Sequence, residues 1–190
     1  MKSEKEKMLS GELYVSSDPE LLRERLLVRK LCHHINSISP TEFELRKDEL
    51  LTELFGYKTS AVITPPFYCD YGNNIQLGEN VYFNFNCVVL DVVKIKIGNN
   101  VLFGPNVQLL AASHPIDVQQ RNAGLEYGRE ITIGDNVWVG GGAIVCPGVN
   151  IGSHAVIGAG SIVTKDIPES VVVGGNPCKI IRRLTYLTSN

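Results

Sequence analysis

The spacing of apolar residues changes once along this chain, near residue 60. From Ile133 onward an aliphatic residue returns at every sixth position, at Ile133, Val139, Val145, Ile151, Ile157 and Val163. Glycine often follows it, at Gly134, Gly140, Gly152 and Gly158. A small or branched residue stands four places after each aliphatic: Val137, Ala143, Val149, Ala155, Ser161 and Ile167. Ile97, Phe103 and Leu109 keep the same step, as do Leu77, Phe83 and Val89, and a two-residue slip at Asp91–Val93 separates these blocks. A step of six matches neither the helical nor the strand period. It predicts a solenoid of short strands and tight turns, with about 18 residues per coil and a triangular section. The aliphatics point inward. Asn80, Asn100, Asn136 and the glycines take turn positions that need unusual dihedrals. This count gives about four coils, with an insertion between the second and third.

Residues 1–58 follow a different rule. In "SSDPELLRERLLVRKLCHHIN", Asp18 is placed to cap a helix, with Pro19 at its first position and Glu20 in its first turn. Leu21, Leu22, Arg25, Leu26, Arg29 and Lys30 then follow helical spacing. In "SPTEFELRKDELLTELFG", Thr41 and Glu44 fit a capping box and Gly56 a C-terminal stop. Phe43, Leu50, Leu51, Leu54 and Phe55 make its apolar stripe. Two such helices must bury those stripes against something else, here the solenoid.

Composition narrows the class. A net charge of −2 offers no basic excess for nucleic acid or anionic lipid. No apolar run is long enough to span a membrane, and the charged start "MKSEKEKMLSGELY" has no apolar core of a signal peptide. The five cysteines, Cys32, Cys69, Cys87, Cys146 and Cys178, are odd in number and widely spaced, without a CxxC. They fit a reducing cytoplasm and small buried hydrophobes better than disulfides or structural zinc.

The repeat breaks at "LLAASHPIDVQQRNAGLEYG", where a loop over residues 115–130 leaves the prism just after His114. Loops that interrupt a rigid solenoid are common places for function. A lone imidazole held before Pro115 suits a general base, because its pKa lies near neutral pH. A surface histidine in a polar loop is the plainer alternative. His33, His34 and His154 read as structural or solvated. Asn84, in "FNFN", offers an amide donor, or a place in a ladder of turn asparagines.

Several segments together resemble the maltose/galactoside/nodulation sugar O-acetyltransferase family of hexapeptide-repeat acyltransferases. They are "EKEKMLSGELY", "CDYGNNIQLGENVYFNFNCVVLDV", "HPID", "ITIGDNVW", "GAGSIVTKDIP" and "VVVGGNPCKIIRRL". The resemblance implies a left-handed parallel β-helix, a hand that periodicity alone does not give. It divides the chain into an N-terminal helical segment at 1–58, the β-helix at 59–184 and a tail at 185–190. It implies direct acetyl transfer from acetyl-CoA to a sugar hydroxyl without a metal. It makes His114 the base, and Asn84 the group that stabilises the transition state and touches the acceptor. Asp70, Asp91, Ser16 and Glu126 fall at acceptor positions. Gly140, Gly141, Ala159, Thr164, Lys165, Lys179 and Arg182 fall at acetyl-CoA positions. It further implies a cytoplasmic homotrimer with active sites between subunits.

The match has departures. Ser16 and Glu126 differ from the residues of some relatives. Val92 stands where galactoside-type members carry a second aspartate, and Lys179 where some carry arginine. A non-sugar hydroxyl acceptor remains the main alternative. A zinc hydratase resembling γ-carbonic anhydrases would need three converging histidines, and the repeat holds only His114 and His154. A scaffold without activity would not need His114, its loop and "VTKDIP" together. The basic run near Lys179 has a solvated helix face as its plain alternative.

Overall fold

The computed structural model describes residues 2–185. Only the first residue of the tail set at 185–190 falls within it. The solenoid has three faces, each a parallel sheet. The first stacks Val62–Ile63, Tyr82–Phe83, Leu102–Phe103, Trp138–Val139, Val156–Ile157 and Val171–Gly174. The second stacks Phe67–Cys69, Cys87–Leu90, Gln108–Leu110, Ile144–Val145 and Ile162–Val163. The third stacks Ile75–Leu77, Ile95–Ile97, Ile131–Ile133 and Asn150–Ile151, and Ile167 extends it by a single bridge to Ile151.

The solenoid has about six turns, not four. Val62–Ile63 and Phe67–Cys69 open a first coil that Ile75–Leu77 completes, around Pro65 and Pro66, which hide the hexad there. Val171–Gly174 adds a strand after the last readable hexad. The insertion therefore falls inside the third coil, between Gln108–Leu110 and Ile131–Ile133.

The predicted inward residues are buried, both the aliphatics from Ile133 to Val163 and the residues four places on. Leu77 is only half-buried. Asn80, Asn100 and Asn136 all have positive φ, and His154 shares that conformation at the next turn of the same corner. Side-chain hydrogen bonds run along this ladder, Asn80 Nδ2 donating to Asn100 Oδ1 (3.1 Å) and Asn100 Nδ2 to Asn136 Oδ1 (3.3 Å).

Coil length explains the slip. Phe83 sits beside Phe103, 20 residues on. Val139 sits beside Ile157, only 18 residues on. The extra residues of the early coils lie between the second and third faces, at Asp70–Asn74 and Asp91–Lys94. The insertion leaves from that same corner one coil later. Two enlarged turns and a long excursion thus stack along one edge of the prism, called here the loop corner.

The N-terminal segment contains α1 (Glu4–Leu9), α2 (Pro19–Ser37) and α3 (Pro40–Phe55). Asp18 caps α2 as expected, accepting from Glu20 N–H at 2.9 Å. The cap of α3 differs. Ser39 Oγ accepts from Glu42 N–H at 3.2 Å, and no box forms at Thr41 and Glu44. Pro40, fixed near helical φ, starts the helix early and places Thr41 inside its first turn. Gly56 ends α3 in the left-handed conformation. The segment is not helical throughout, since Tyr14–Val15 is a strand.

The stripe of α3 is buried, and it covers the open end of the prism. Phe55 meets Phe67 edge-on at 6.4 Å, Phe67 meets Phe83 at 5.3 Å, and Phe83 stacks on Phe103 at 4.5 Å. Burying each such ring contributes about 2 kcal/mol. Gly72 lets α3 approach this closely. Its φ is +71°, and a Cβ there would lie 2.1 Å from the Leu54 carbonyl oxygen. Gly72→Ala is expected to cost about 2 kcal/mol or more, read as a lower urea midpoint with an unchanged slope.

Candidate active site

The insertion is a folded hairpin. Ala112–Ser113 pairs antiparallel with Leu125–Gly128, and α4 (Val118–Asn122) fills the connection under its cap Asp117. Tyr14–Val15 adds a third strand by pairing with Glu126 and Leu125. That pairing fixes Ser16, whose N–H and hydroxyl both donate to the Gly124 carbonyl oxygen at 3.3 Å. It also orients Glu126, whose Oε2 accepts from the buried Tyr14 hydroxyl at 2.8 Å. Burial and the neighbouring carboxylate push that hydroxyl's pKa up, so Tyr14 remains a donor.

His114 follows the first hairpin strand and is exposed. Arg121 Nη1 donates to the carbonyl oxygens of Pro115 (3.0 Å) and Ile116 (2.8 Å), which holds the turn beyond the imidazole. His114 opens onto a cavity of about 270 Å³ that Asp70, Glu126, Arg25, Arg29, Leu90 and Val92 also line. Carboxylates and guanidiniums around a small open cavity suit a ligand with several hydroxyls. Burial pushes the Asp70 carboxyl up, while Arg25 and Arg29 pull it down.

Arg25 and Arg29 belong to this site, although helical spacing alone reads them as part of a helix pattern. Arg25 Nη1 donates to the Tyr71 hydroxyl at 2.6 Å, and its Nη2 donates to the Ser16 carbonyl oxygen. The signal in the sequence is two arginines one turn apart among leucines.

Asp91 is not on the cavity wall, which corrects its place among the acceptor contacts. It is fully buried, and its Oδ1 accepts from the N–H groups of Asp70 and Tyr71, each at 2.9 Å. Burial is the main cause that pushes its carboxyl up to about 7.

Asn84 lies in the turn after Tyr82–Phe83 rather than on a strand. Its Oδ1 accepts from Phe85 N–H at 2.8 Å, which leaves the amide NH2 to act outward. This turn is at the corner between the first and second faces, away from His114. Gly140, Gly141 and Ala159 share that corner. A Cβ on Gly140 would lie 2.6 Å from Ala159 N, so the coils meet there at backbone distance. Thr164 and Lys165 are exposed at the loop corner, near the C-terminal end of the prism. Lys179 and Arg182 lie on the exposed strand Lys179–Arg183, antiparallel to Val171–Gly174, so the basic run is not a helix face. One chain therefore brings Asp70, Glu126 and His114 together with Ser16 close by, but it leaves Asn84 and the glycines at another corner.

Nearly the full length of the chain matches known proteins. The maltose acetyltransferase hexapeptide capping motif covers residues 7–58, and the six-repeat bacterial transferase hexapeptide covers residues 130–165. A maltose O-acetyltransferase from Clostridium difficile 630 superposes with a TM-score of 0.92 at 49% identity, over 97% of this chain and 99% of that one. The chain belongs to the hexapeptide-repeat acetyltransferases. A galactoside acetyltransferase in complex with coenzyme A matches this acetyltransferase at TM-score 0.91 and 41% identity, over 97% and 92% of the two chains. Nodulation protein L of Rhizobium meliloti is 48% identical over 94% of the acetyltransferase and 98% of its own length. The solenoid is thus the left-handed β-helix that its motifs implied. Among the described residues no group of three or more His, Cys, Asp or Glu could hold a metal ion, and no helix is long and apolar enough to cross a membrane.

Proposed function

We propose that this chain acetylates a sugar hydroxyl in the cytoplasm, using acetyl-CoA in a direct transfer. The observation that carries this reading is the shared cavity of His114, Asp70, Glu126, Arg25 and Arg29. The acceptor's hydroxyls bond to the carboxylates and guanidiniums. His114 takes the proton from the attacking hydroxyl as its oxygen bonds to the thioester carbon. Asn84 donates from its amide to the oxygen that gains charge. The C–S bond then breaks, and the CoA sulfur leaves with the proton that His114 returns.

Acetyl-CoA use is supported by the relative in complex with coenzyme A. The closely packed Gly140, Gly141 and Ala159 suit an extended pantetheine arm. Thr164, Lys165, Lys179 and Arg182 suit its phosphates. Because Asn84 and His114 occupy different corners, each site needs two copies of the chain, and a homotrimer supplies them.

The outer surface supports that assembly. Val62, Tyr82, Leu102, Trp138, Val156 and Val172 stand in register along the first face as one apolar row. Gln76, Lys96, Thr132 and Asn150 make the third face polar. An apolar row of that length calls for a cover. Ile116, 95% exposed two residues beyond His114, points to a hairpin tip that meets a neighbouring copy.

Thiol release from acetyl-CoA across maltose, glucose, galactosides and non-sugar alcohols tests the reading. Turnover with one or more sugars is expected. Turnover restricted to non-sugar alcohols would overturn the acceptor, and none with any compound would overturn the activity.

A further inference from the structure

We infer that Asp91 is a positioning residue for the acceptor site, holding the Asp70–Tyr71 backbone from inside the prism wall. The inference rests on the proposed acceptor cavity and extends it by one layer. Carrying the strand registers, which end at Cys69↔Val89 and Leu90↔Leu110, one or two residues further sets Asp91 in the coil between Tyr71 and Ala111. All three are buried, and only Asp91 carries charge-bearing chemistry. A carboxyl where a neighbouring coil has alanine has a desolvation cost that packing alone does not offset. Its bonds show what is gained.

The enlarged turn at Asp70–Asn74 departs from the regular coil, so its N–H groups lose their usual strand partners. Asp91 Oδ1 accepts from two of them, Asp70 N–H and Tyr71 N–H, at 2.9 Å each. The Asp91 carbonyl oxygen accepts from Asn74 Nδ2 at 2.7 Å, which holds the other end of the turn. The turn presents the Asp70 carboxyl to the cavity. It also presents the Tyr71 hydroxyl to Arg25, which in turn holds the Ser16 carbonyl. One buried side chain therefore fixes Asp70 directly and Arg25 and Ser16 through Tyr71.

The second carboxyl oxygen, Oδ2, is buried without a hydrogen-bond partner among the described residues. Burial raises the Asp91 pKa to about 7, so the acid and its anion are both populated near neutral pH, and Oδ1 accepts the two N–H groups in either form. An amide has the same acceptor in the same place. Asp91→Asn is therefore the conservative variant, and Asp91→Ala removes the brace.

The test combines kinetics with amide hydrogen exchange in the assembled protein. Asp91→Ala leaves the Asp70 and Tyr71 N–H groups without their acceptor and is expected to raise the acceptor KM by about tenfold, with the acetyl-CoA KM unchanged. Exchange at the Asp70 and Tyr71 amides should rise by a similar factor, while the outer coils keep their protection. Asp91→Asn should restore both. On an Asp70→Ala background, Asp91→Ala should raise the acceptor KM by clearly less than tenfold. Faster exchange without a change in KM would make Asp91 merely structural and overturn the inference. Unchanged exchange, or an equal rise in both KM values, would also overturn it. If Asp91→Ala does not fold, Asp91→Ser carries the same readouts with a shorter oxygen. If the wild type releases no thiol with any acceptor, the proposed activity fails, and exchange still decides whether the brace exists.

Discussion

Replacing His114 by alanine is expected to lower kcat by roughly 10²–10⁴, the usual contribution of a positioned general base. The loss should fall on kcat, with the acetyl-CoA KM near the wild-type value. The imidazole is exposed and has no hydrogen-bond partner among the described residues. Stability should therefore stay within about 0.5 kcal/mol of wild type. That contrast makes the experiment decisive, because a lost activity cannot be blamed on a lost fold. Thiol release on a saturating acceptor, with a thermal melt of the same sample, checks both parts. A variant as active as wild type would remove His114 from the chemistry. The cavity would then be a binding site whose base lies elsewhere.

The second large effect comes from mixing two inactive variants. His114→Ala leaves Asn84 intact, and Asn84→Ala leaves His114 intact. If each site takes His114 from one copy and Asn84 from the next around a closed ring, random mixed trimers regain about a quarter of the wild-type sites. If both groups acted within one chain, every chain would be defective and mixing would recover nothing. The two variants, differently tagged and co-expressed, allow mixed assemblies to be isolated and assayed for thiol release. Sedimentation of the same sample should give about three times the chain mass of 20.9 kDa. The single-chain geometry motivates this test, since His114 belongs to the loop corner and Asn84 to the corner between the first and second faces.

The solenoid was legible in the sequence because each hexad writes its side-chain direction directly into the chain. Ile133 through Val163 needed no tertiary context to be placed inside the prism. The first coil was not legible, because Pro65 and Pro66 occupy positions where the pattern expects the repeat's own residues. The α3 cap was misplaced for a local reason, since Ser39 competes with Thr41 and Pro40 decides in favour of Ser39. Tyr14–Val15 could not be read as a strand, since two residues carry no period and their partner lies over a hundred residues away.

The site shows the same division. His114 stood out because it interrupts a regular pattern. Arg25 and Arg29 did not, because a helix with charged and apolar positions already accounts for them. Asp91 and Asp70 look alike in sequence, and both fit an acceptor contact. Their different depths follow from the enlarged turns, which set Asp70 toward the cavity and Asp91 beneath it.

Trp138 lies in the middle of the apolar row, between Leu102 and Val156, and is more than half exposed in the single chain. It is also the only tryptophan in the sequence. An indole moved from water to a dry contact shifts its emission to the blue. In the trimer proposed above that row is covered, so Trp138 emission would serve as a built-in optical gauge of association, readable without a label and down to concentrations where the subunits part.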